Sequence, residues 1–170
     1  MQGFIFIFFK RFIEIKYDFN TWIELVGNAK TDRLTYEMRE TYPDQDLHKL
    51  IRAASDMTKI PVFKLLEKFG EAMVPNLLLI YNQYVDSQWK TLDMLEHTEA
   101  VMHRAVKAQH PAASPPVLHI TRVNKNKLII DYFSKRRMGC LAVGIIKGIA
   151  SYYHEEANII VEPTSGPDDE

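Results

Sequence analysis

Residues 117–146 read VLHITRVNKNKLIIDYFSKRRMGCLAVGII and contain the change of pattern that decides the fold. Two runs rich in β-branched and aromatic residues, 117–123 and 127–133, flank the turn-prone segment NKN and predict a β-hairpin. Apolar residues at helical spacing follow and predict an amphipathic helix; they are Met138, Leu141, Ala142, Ile145, Ile146, Ile149 and Tyr153. The segment NIIVE at 158–162 predicts one more short strand.

The sequence before the hairpin predicts helices separated by short polar breaks. The opening run GFIFIFFKRFIEI indicates a buried helix and not a signal peptide, because no basic residue precedes it and Lys10 and Arg11 interrupt it. The other expected helix boundaries are caps at Asn20 and Asp46, a first-turn proline at Pro61, a break or kink at Pro75, and a long helix from Asp86 to Gln109. Helices that precede a small antiparallel sheet are typical of an α+β domain.

The composition narrows the class of protein. A chain of 170 residues with 46% hydrophobic and 25% charged residues is expected to fold as one globular domain. Its formal net charge of -1 gives no attraction of the whole molecule to nucleic acid or to an anionic membrane. Cys140 is the only cysteine, which excludes an intramolecular disulfide and a cysteine-ligated zinc or iron–sulfur site and favours a reducing cytoplasm. The sequence contains no nucleotide-binding, serine-hydrolase or metalloprotease motif, so an enzyme is not expected.

Tyr132, Ser134 and Arg136 form the first candidate binding site. If the chain stays extended, alternate side chains share one face and present two hydroxyls and a guanidinium group together. A guanidinium group binds a carboxylate in a bidentate pair while hydroxyls donate to its remaining lone pairs, so the row suits a dicarboxylate ligand. The alternative is a solvated strand end beside a basic cluster, and the motif alone does not exclude it.

His103 is the candidate metal ligand. It lies near the end of the predicted long helix, and a neutral imidazole nitrogen binds haem iron in many haem proteins. A lone helical histidine is more often a surface or core residue, so its position alone decides nothing. His97 lies on a different helical face and His110 directly precedes a proline, which makes both of them weaker candidates.

The order and spacing of these motifs resemble the haem nitric oxide/oxygen binding family, H-NOX, whose members include the haem domain of animal soluble guanylate cyclase. The shared pattern is His103, Pro111, Pro116, a hairpin and Tyr132-x-Ser134-x-Arg136 before a helix. Further similar segments are Met1-x-Gly3-Phe4, Ala53-Ala54-Ser55, Phe69-Gly70 and Gly144-Ile145-Ile146-Lys147-Gly148, so the resemblance covers nearly the whole chain.

This resemblance implies an α+β fold with haem b between two parts of one domain, 1–162. The distal helical part is expected at 1–60 and the proximal part, with the small antiparallel sheet, at 61–162. His103 would be the proximal iron ligand, Tyr132, Ser134 and Arg136 would hold the propionates, and Pro116 would press on the haem and distort it. The residues expected to line the distal side are Phe4, Ile5, Phe9, Leu141 and Ile145.

The resemblance also bears on gas selectivity and output. Oxygen-binding members carry a tyrosine nine residues after the motif tyrosine, where this chain has Leu141. Binding of nitric oxide and carbon monoxide, with weak or no oxygen binding, is therefore expected. Nitric oxide weakens the iron–histidine bond in the family, and stand-alone bacterial members act on histidine kinases or cyclic-di-GMP enzymes, so a separate partner of that kind is expected here.

Three questions stay open from the sequence. The chain could have the fold yet serve as a haem-independent interaction module. A nucleic-acid interface is a second alternative, less favoured because of the near-zero net charge; its candidate residues are Arg122, Lys125, Lys127, Lys135, Arg136 and Arg137. Relatives usually continue beyond the acidic tail, 163–170, into another strand, so this chain is expected either to be truncated or to leave a sheet edge open.

Overall fold

The computed structural model describes residues 1–164 and shows an α+β fold with helices first and a two-stranded sheet late. The helices are α1 (Gly3–Lys16), α2 (Phe19–Ala29), α3 (Asp44–Thr58), α4 (Val62–Tyr81), α5 (Thr91–His97), α6 (Arg104–Gln109) and α7 (Gly139–Tyr152), with a 3₁₀ turn at Asn82–Tyr84 and a π-helical segment at Thr98–His103. The strands are β1 (Val117–Asn124) and β2 (Lys127–Phe133). Most of the expected acidic tail lies outside the described residues. No helix in residues 1–164 combines the length and apolar character needed to cross a bilayer.

Several helix boundaries differ from the sequence predictions. Asp18, not Asn20, caps α2, and its carboxylate accepts a hydrogen bond of 2.7 Å from the backbone N–H of Thr21. Helix α3 already begins at Asp44, so Asp46 lies inside its first turn, where a negative charge favours the helix dipole. The predicted long helix starts at Thr91 instead of Asp86 and ends as expected at Gln109.

Pro75 does not end α4. The helix continues to Tyr81, and Pro75 itself is solvent-exposed while Val74 and Leu78 are buried. Tertiary packing of a buried apolar face supplies most of the stability of a helix in a protein, so it can offset the one backbone hydrogen bond that proline removes.

The predicted hairpin is confirmed, but the predicted additional strand is wrong. β1 and β2 pair antiparallel, with Leu118 opposite Tyr132 and Ile120 opposite Ile130 on the half-buried face. Residues 158–162 form no strand, and Ile159 instead lines a groove together with residues of α4 and α7. A strand needs a partner for its backbone groups, and within residues 1–164 the sheet has two strands only.

Two apolar clusters meet along α4. The first joins α1, α2, α3 and the first half of α4, and its fully buried members include Phe9, Trp22 and Phe69. The second joins the other half of α4 to α5, the hairpin and α7, and includes Tyr81 and Ile149. Helix α4 therefore contributes to both clusters, while the subdomain boundary at residue 60 stays a prediction.

Helices α4 and α7 approach each other closely at glycines. A Cβ atom added at Gly144 of α7 would lie 2.7 Å from the carbonyl carbon of Glu67 in α4 and closer still to its oxygen. Because the obstruction is backbone, an alanine can be accommodated only if the helices move apart.

We expect Gly144→Ala to lower the free energy of unfolding by about 2 kcal/mol, as overpacking of a tight interior contact does. Urea denaturation followed by circular dichroism measures this loss. Gly27→Ala in α2 is the matched control, because a Cβ there meets no atom within 4 Å. That control should be neutral or stabilising by about 0.5–1 kcal/mol. Equal stability of the two variants would contradict the close-packing argument.

Candidate functional site

His103 lies at the end of the π-helical segment that separates α5 from α6. Single π turns within α-helices occur frequently at functional sites because they widen the helix locally. The side chain of His103 is 15% exposed, and its Nδ1 atom lies 2.8 Å from Oε2 of Glu99. The imidazole is therefore fixed at one nitrogen by a carboxylate from the same helical stretch.

Glu99 is itself held from a second direction. The same oxygen, Oε2, accepts a hydrogen bond of 3.1 Å from the backbone N–H of Leu118 in β1. Burial raises the pKa of Glu99, but the hydrogen bonds from His103 and Leu118 outweigh this effect and hold the pKa below its ordinary value. With an ionised carboxylate at Nδ1, the neutral imidazole carries its proton there and leaves the lone pair of Nε2 available for a metal.

The motif Tyr132, Ser134 and Arg136 spans a strand end and the turn that follows it. The prediction of a continuous extended row is wrong beyond Phe133, because the backbone turns and the N–H of Arg136 donates to Oγ of Ser134 at 3.2 Å. Hydroxyls of serine commonly stabilise such turns by bonding to a backbone amide two residues on. The burial still alternates, since the three motif residues are half-buried and Phe133 and Lys135 are exposed.

Arg136 connects the motif with the N-terminal helices. Its Nε atom lies 2.9 Å from Oδ2 of Asp44 at the start of α3, and its NH1 group donates to the backbone carbonyl of Ser114. The contact with Asp44 is an ion pair, in which a carboxylate oxygen lies at hydrogen-bond distance from the buried Nε atom. The guanidinium group thus already faces a carboxylate, the chemical group that a propionate would offer.

Asp44 is expected to stabilise the fold by an amount that depends on pH. Burial raises the pKa of Asp44, but the amino group of Met1 and the guanidinium group of Arg136 outweigh burial and hold the pKa below its ordinary value of 3.8. A carboxyl group with a lowered folded-state pKa stabilises the fold above its unfolded-state pKa, and this contribution disappears as the pH falls through the folded-state pKa. Because the side chain is 39% exposed, the effect at neutral pH is about 0.5 kcal/mol.

Urea unfolding of Asp44→Asn across the acidic pH range measures this effect. The difference from the unmodified protein should be largest at neutral pH and vanish in acid. Asp46→Asn is the matched control, since it removes a charge from the same helical turn without contacting Arg136. A pH-independent loss in Asp44→Asn would show that the ion pair contributes nothing.

The five apolar residues predicted for the distal side belong to one cluster around α1. Phe4 is 6% exposed and Phe9 is fully buried, while Ile5, Leu141 and Ile145 are half-buried and pack against the same cluster. The ring of Phe4 also lies 6.1 Å from the ring of His110, in the segment that follows α6. The structure therefore brings the N-terminal helix next to the end of the helical stretch that carries His103. Pro116, which precedes β1, is half-buried.

Two residues of this site were missed by sequence reasoning. Glu99 could have been found, because residues four apart on a helix contact each other. Asp44 could not, since only the folded chain brings it to Arg136. The basic cluster around the hairpin is partly neutralised in the fold: NH1 of Arg122 lies 2.7 Å from Oε2 of Glu96, which argues against the nucleic-acid alternative.

Comparison with known protein families decides the class. The family model described as Haem-NO-binding matches residues 2–161. The chain belongs to this family. H-NOX domains are haem-binding gas-sensor domains and not enzymes in themselves. The chain is also similar to soluble guanylate cyclase gcy-31 of Caenorhabditis elegans, with 25% identity over 138 residues, which are 81% of this chain and 20% of that protein. It thus spans about a fifth of the length of that relative.

Solved H-NOX structures share the fold. The H-NOX protein of S. oneidensis in its Fe(II)NO ligation state superimposes with a TM-score of 0.83 at 21% identity, covering 91% of this chain and 86% of that one. The Fe(II) unliganded H-NOX protein of K. algicida gives a TM-score of 0.83 at 21% identity, over 91% of this chain and 84% of that one. The I5F mutant of the T. tengcongensis H-NOX gives 0.79 at 20% identity, over 91% and 84%.

The residues of this chain fit a haem group. A half-buried histidine engaged at Nδ1 leaves Nε2 as a donor of the kind that haem iron binds. Arg136 is already paired with a carboxylate, the group that a haem propionate carries. These are the two kinds of contact that iron and propionates require. His103 is held beside β1 through Glu99, and Arg136, just beyond β2, reaches the start of α3.

Proposed function

We propose that this domain senses nitric oxide through ferrous haem b and signals to a separate partner protein. The observation that supports the proposal best is the arrangement of His103, whose Nδ1 atom is held by Glu99 so that Nε2 is left for iron. When bound, haem supplies a ferrous centre that takes small gas molecules.

The residues of the chain divide the work of binding. His103 would supply the nitrogen ligand to iron, and Arg136 with the hydroxyls of Tyr132 and Ser134 would hold the propionates. Arg136 would exchange the carboxylate of Asp44 for a propionate or share its donors between the two. Pro116 would press against the macrocycle. The apolar side chains around α1 exclude water, which a bound macrocycle requires.

The choice of gas follows from the distal side chains. Oxygen on ferrous iron carries partial negative charge and is held better where a hydrogen-bond donor faces it, whereas nitric oxide binds tightly without one. Leu141 is half-buried against the same cluster as Phe9 and offers no donor. We therefore infer binding of nitric oxide and carbon monoxide, with weak or no binding of oxygen.

Signal output depends on contacts between the two parts of the domain. Release of His103 from iron would free the helical stretch that ends near His110, and His110 packs against Phe4 of α1. A shift at this contact and at the ion pair of Arg136 with Asp44 would change the relative position of 1–60 and 61–162. A partner that binds one arrangement better reads out the change, and a histidine kinase or a cyclic-di-GMP enzyme is the expected class.

An anaerobic absorption spectrum of the ferrous protein tests the proposal. We expect a histidine-ligated haem spectrum that changes on addition of nitric oxide or carbon monoxide and gives no stable oxygen complex in air. Protein that stays colourless with haem supplied would favour the haem-independent module. A stable oxygen complex would overturn the gas assignment alone.

A further inference from the structure

One carboxylate oxygen links the candidate iron ligand to the sheet. Oε2 of Glu99 lies 2.8 Å from Nδ1 of His103 and 3.1 Å from the backbone nitrogen of Leu118. The other oxygen, Oε1, has Lys107 at 3.7 Å, and the Lys107 side chain is 48% exposed. The two close contacts are thus to the imidazole and to β1, and the contact with Lys107 is a weak surface pair.

We propose that Glu99 is the positioning residue of the proximal site, which fixes the tautomer of His103, strengthens its bond to iron and couples it to the hairpin. The claims about the iron bond rest on the proposed function. The claim about the tautomer does not, because the tautomer is a property of the haem-free chain as well. Glu99 touches neither haem nor gas and acts through His103.

The first step of the argument concerns the imidazole. A carboxylate that accepts the Nδ1 proton orients the ring and makes the other nitrogen a stronger donor to a metal, and loss of such a partner typically lowers metal affinity about 10–100-fold. Glu99 precedes His103 by four residues, so the contact forms within one turn of the helical stretch.

The second step concerns what keeps the carboxylate in place. An unrestrained glutamate side chain rotates among several rotamers, and ordering it has an entropic cost. The backbone amide of Leu118 donates a second hydrogen bond to Oε2, and this amide belongs to a paired strand. The position of the carboxylate is therefore set by the hairpin as well as by the helix.

The third step links the ligand to the propionate motif. Leu118 is the cross-strand partner of Tyr132, the first residue of the motif. If the helical stretch that carries His103 moves, Glu99 moves with it. Glu99 is hydrogen-bonded to Leu118, so this movement acts on the strand pair that contains Tyr132. Glu99 thereby adjusts how readily nitric oxide displaces His103 and transmits the displacement to β1.

Haem-free protein gives the first test. Nitrogen NMR of the histidine rings in mildly alkaline buffer, where a free imidazole is neutral, distinguishes the two tautomers. We expect His103 to be protonated at Nδ1 in the unmodified protein and to become a mixture of tautomers in Glu99→Ala. Glu99→Gln keeps an acceptor oxygen but no charge and should give an intermediate result. His103 found mainly protonated at Nε2 in the unmodified protein would overturn the proposal.

The ferrous haem complex gives the second test. Resonance Raman spectra should show the iron–histidine stretching frequency lowered in Glu99→Gln and further in Glu99→Ala, with haem affinity reduced about tenfold in the alanine variant. Nitric oxide should remove the histidine ligand faster in both. The matched control is Glu96→Gln, which removes a charge from the same helical stretch but faces Arg122.

The outcomes separate the two proposals. An unchanged frequency in both Glu99 variants, with histidine still bound, would show that Glu99 does not act on the ligand. An equal decrease of the iron–histidine stretching frequency in Glu96→Gln would assign the effect to net charge and overturn the positioning role of Glu99. If the unmodified protein binds no haem, both the proposed function and the inferred effect of Glu99 on the iron–histidine bond are wrong. The NMR measurement on haem-free protein still decides which tautomer of His103 is present.

Discussion

Replacement of His103 by glycine is expected to abolish histidine ligation of ferrous haem while leaving the haem-free fold intact. The imidazole is the nitrogen donor assigned to iron, and glycine offers no side chain to replace it. Glycine at an internal helical position costs about 1 kcal/mol, a fraction of the stability of a typical domain. The absorption spectrum of the ferrous variant should therefore lose its histidine-ligated form, and added imidazole should restore it.

His97→Gly provides the control for this variant. His97 ends α5 in the same continuous helical stretch, and its ring contacts that of Trp89 in a tilted arrangement, with centroids 4.7 Å apart. It carries the same glycine penalty but is not assigned to iron, so its spectrum should match that of the unmodified protein. Retention of an unchanged histidine-ligated spectrum in His103→Gly would rule out the ligand assignment.

Leu141→Tyr is expected to raise oxygen affinity by up to about 100-fold, because a hydrogen bond to a charged partner contributes about 1.5–3 kcal/mol and 1.4 kcal/mol is a factor of ten. Leu141 is half-buried on α7 and packs against the apolar cluster that contains Phe9. A tyrosine hydroxyl there would donate to the partial negative charge of bound oxygen. Oxygen titration of the ferrous protein measures the gain.

The matched control is Leu141→Phe, which adds nearly the same bulk without the hydroxyl. Overpacking near α1 costs about 1–3 kcal/mol of stability in either variant, so stability alone does not distinguish them. Only the tyrosine should change oxygen affinity. An equal gain in the phenylalanine variant would mean that packing, and not a hydrogen bond, controls oxygen binding.

Local sequence patterns predicted those helices and strands whose hydrophobic spacing and turn residues lie within a few neighbouring positions. The hairpin follows from two β-rich runs around NKN, and α7 follows from its helical apolar spacing. The contact between Glu99 and His103 was not predicted, although the information is equally local, since a spacing of four on a helix brings two side chains together. Local geometry suffices for such features because few other parts of the chain act on them.

Predictions that depended on the surroundings of a segment were wrong. Pro75 was expected to break or kink α4; the break does not occur, because the helix continues to Tyr81 and packs on α7. The segment NIIVE has the composition of a strand and forms none, because its backbone has no strand partner in residues 1–164. Propensity is a weak prior at such positions, and tertiary context decides.

The sequence by itself determined the order of elements, the α+β class and the motifs at His103 and Arg136, through periodicity and through the spacing that resembles the H-NOX family. The tertiary structure alone decided what those motifs contact. The ion pair of Arg136 with Asp44, the amide of Leu118 on Glu99 and the ring of His110 on Phe4 all join residues that are far apart in the chain. Such contacts depend on how helices and hairpin pack around two apolar clusters, and no local pattern specifies that packing.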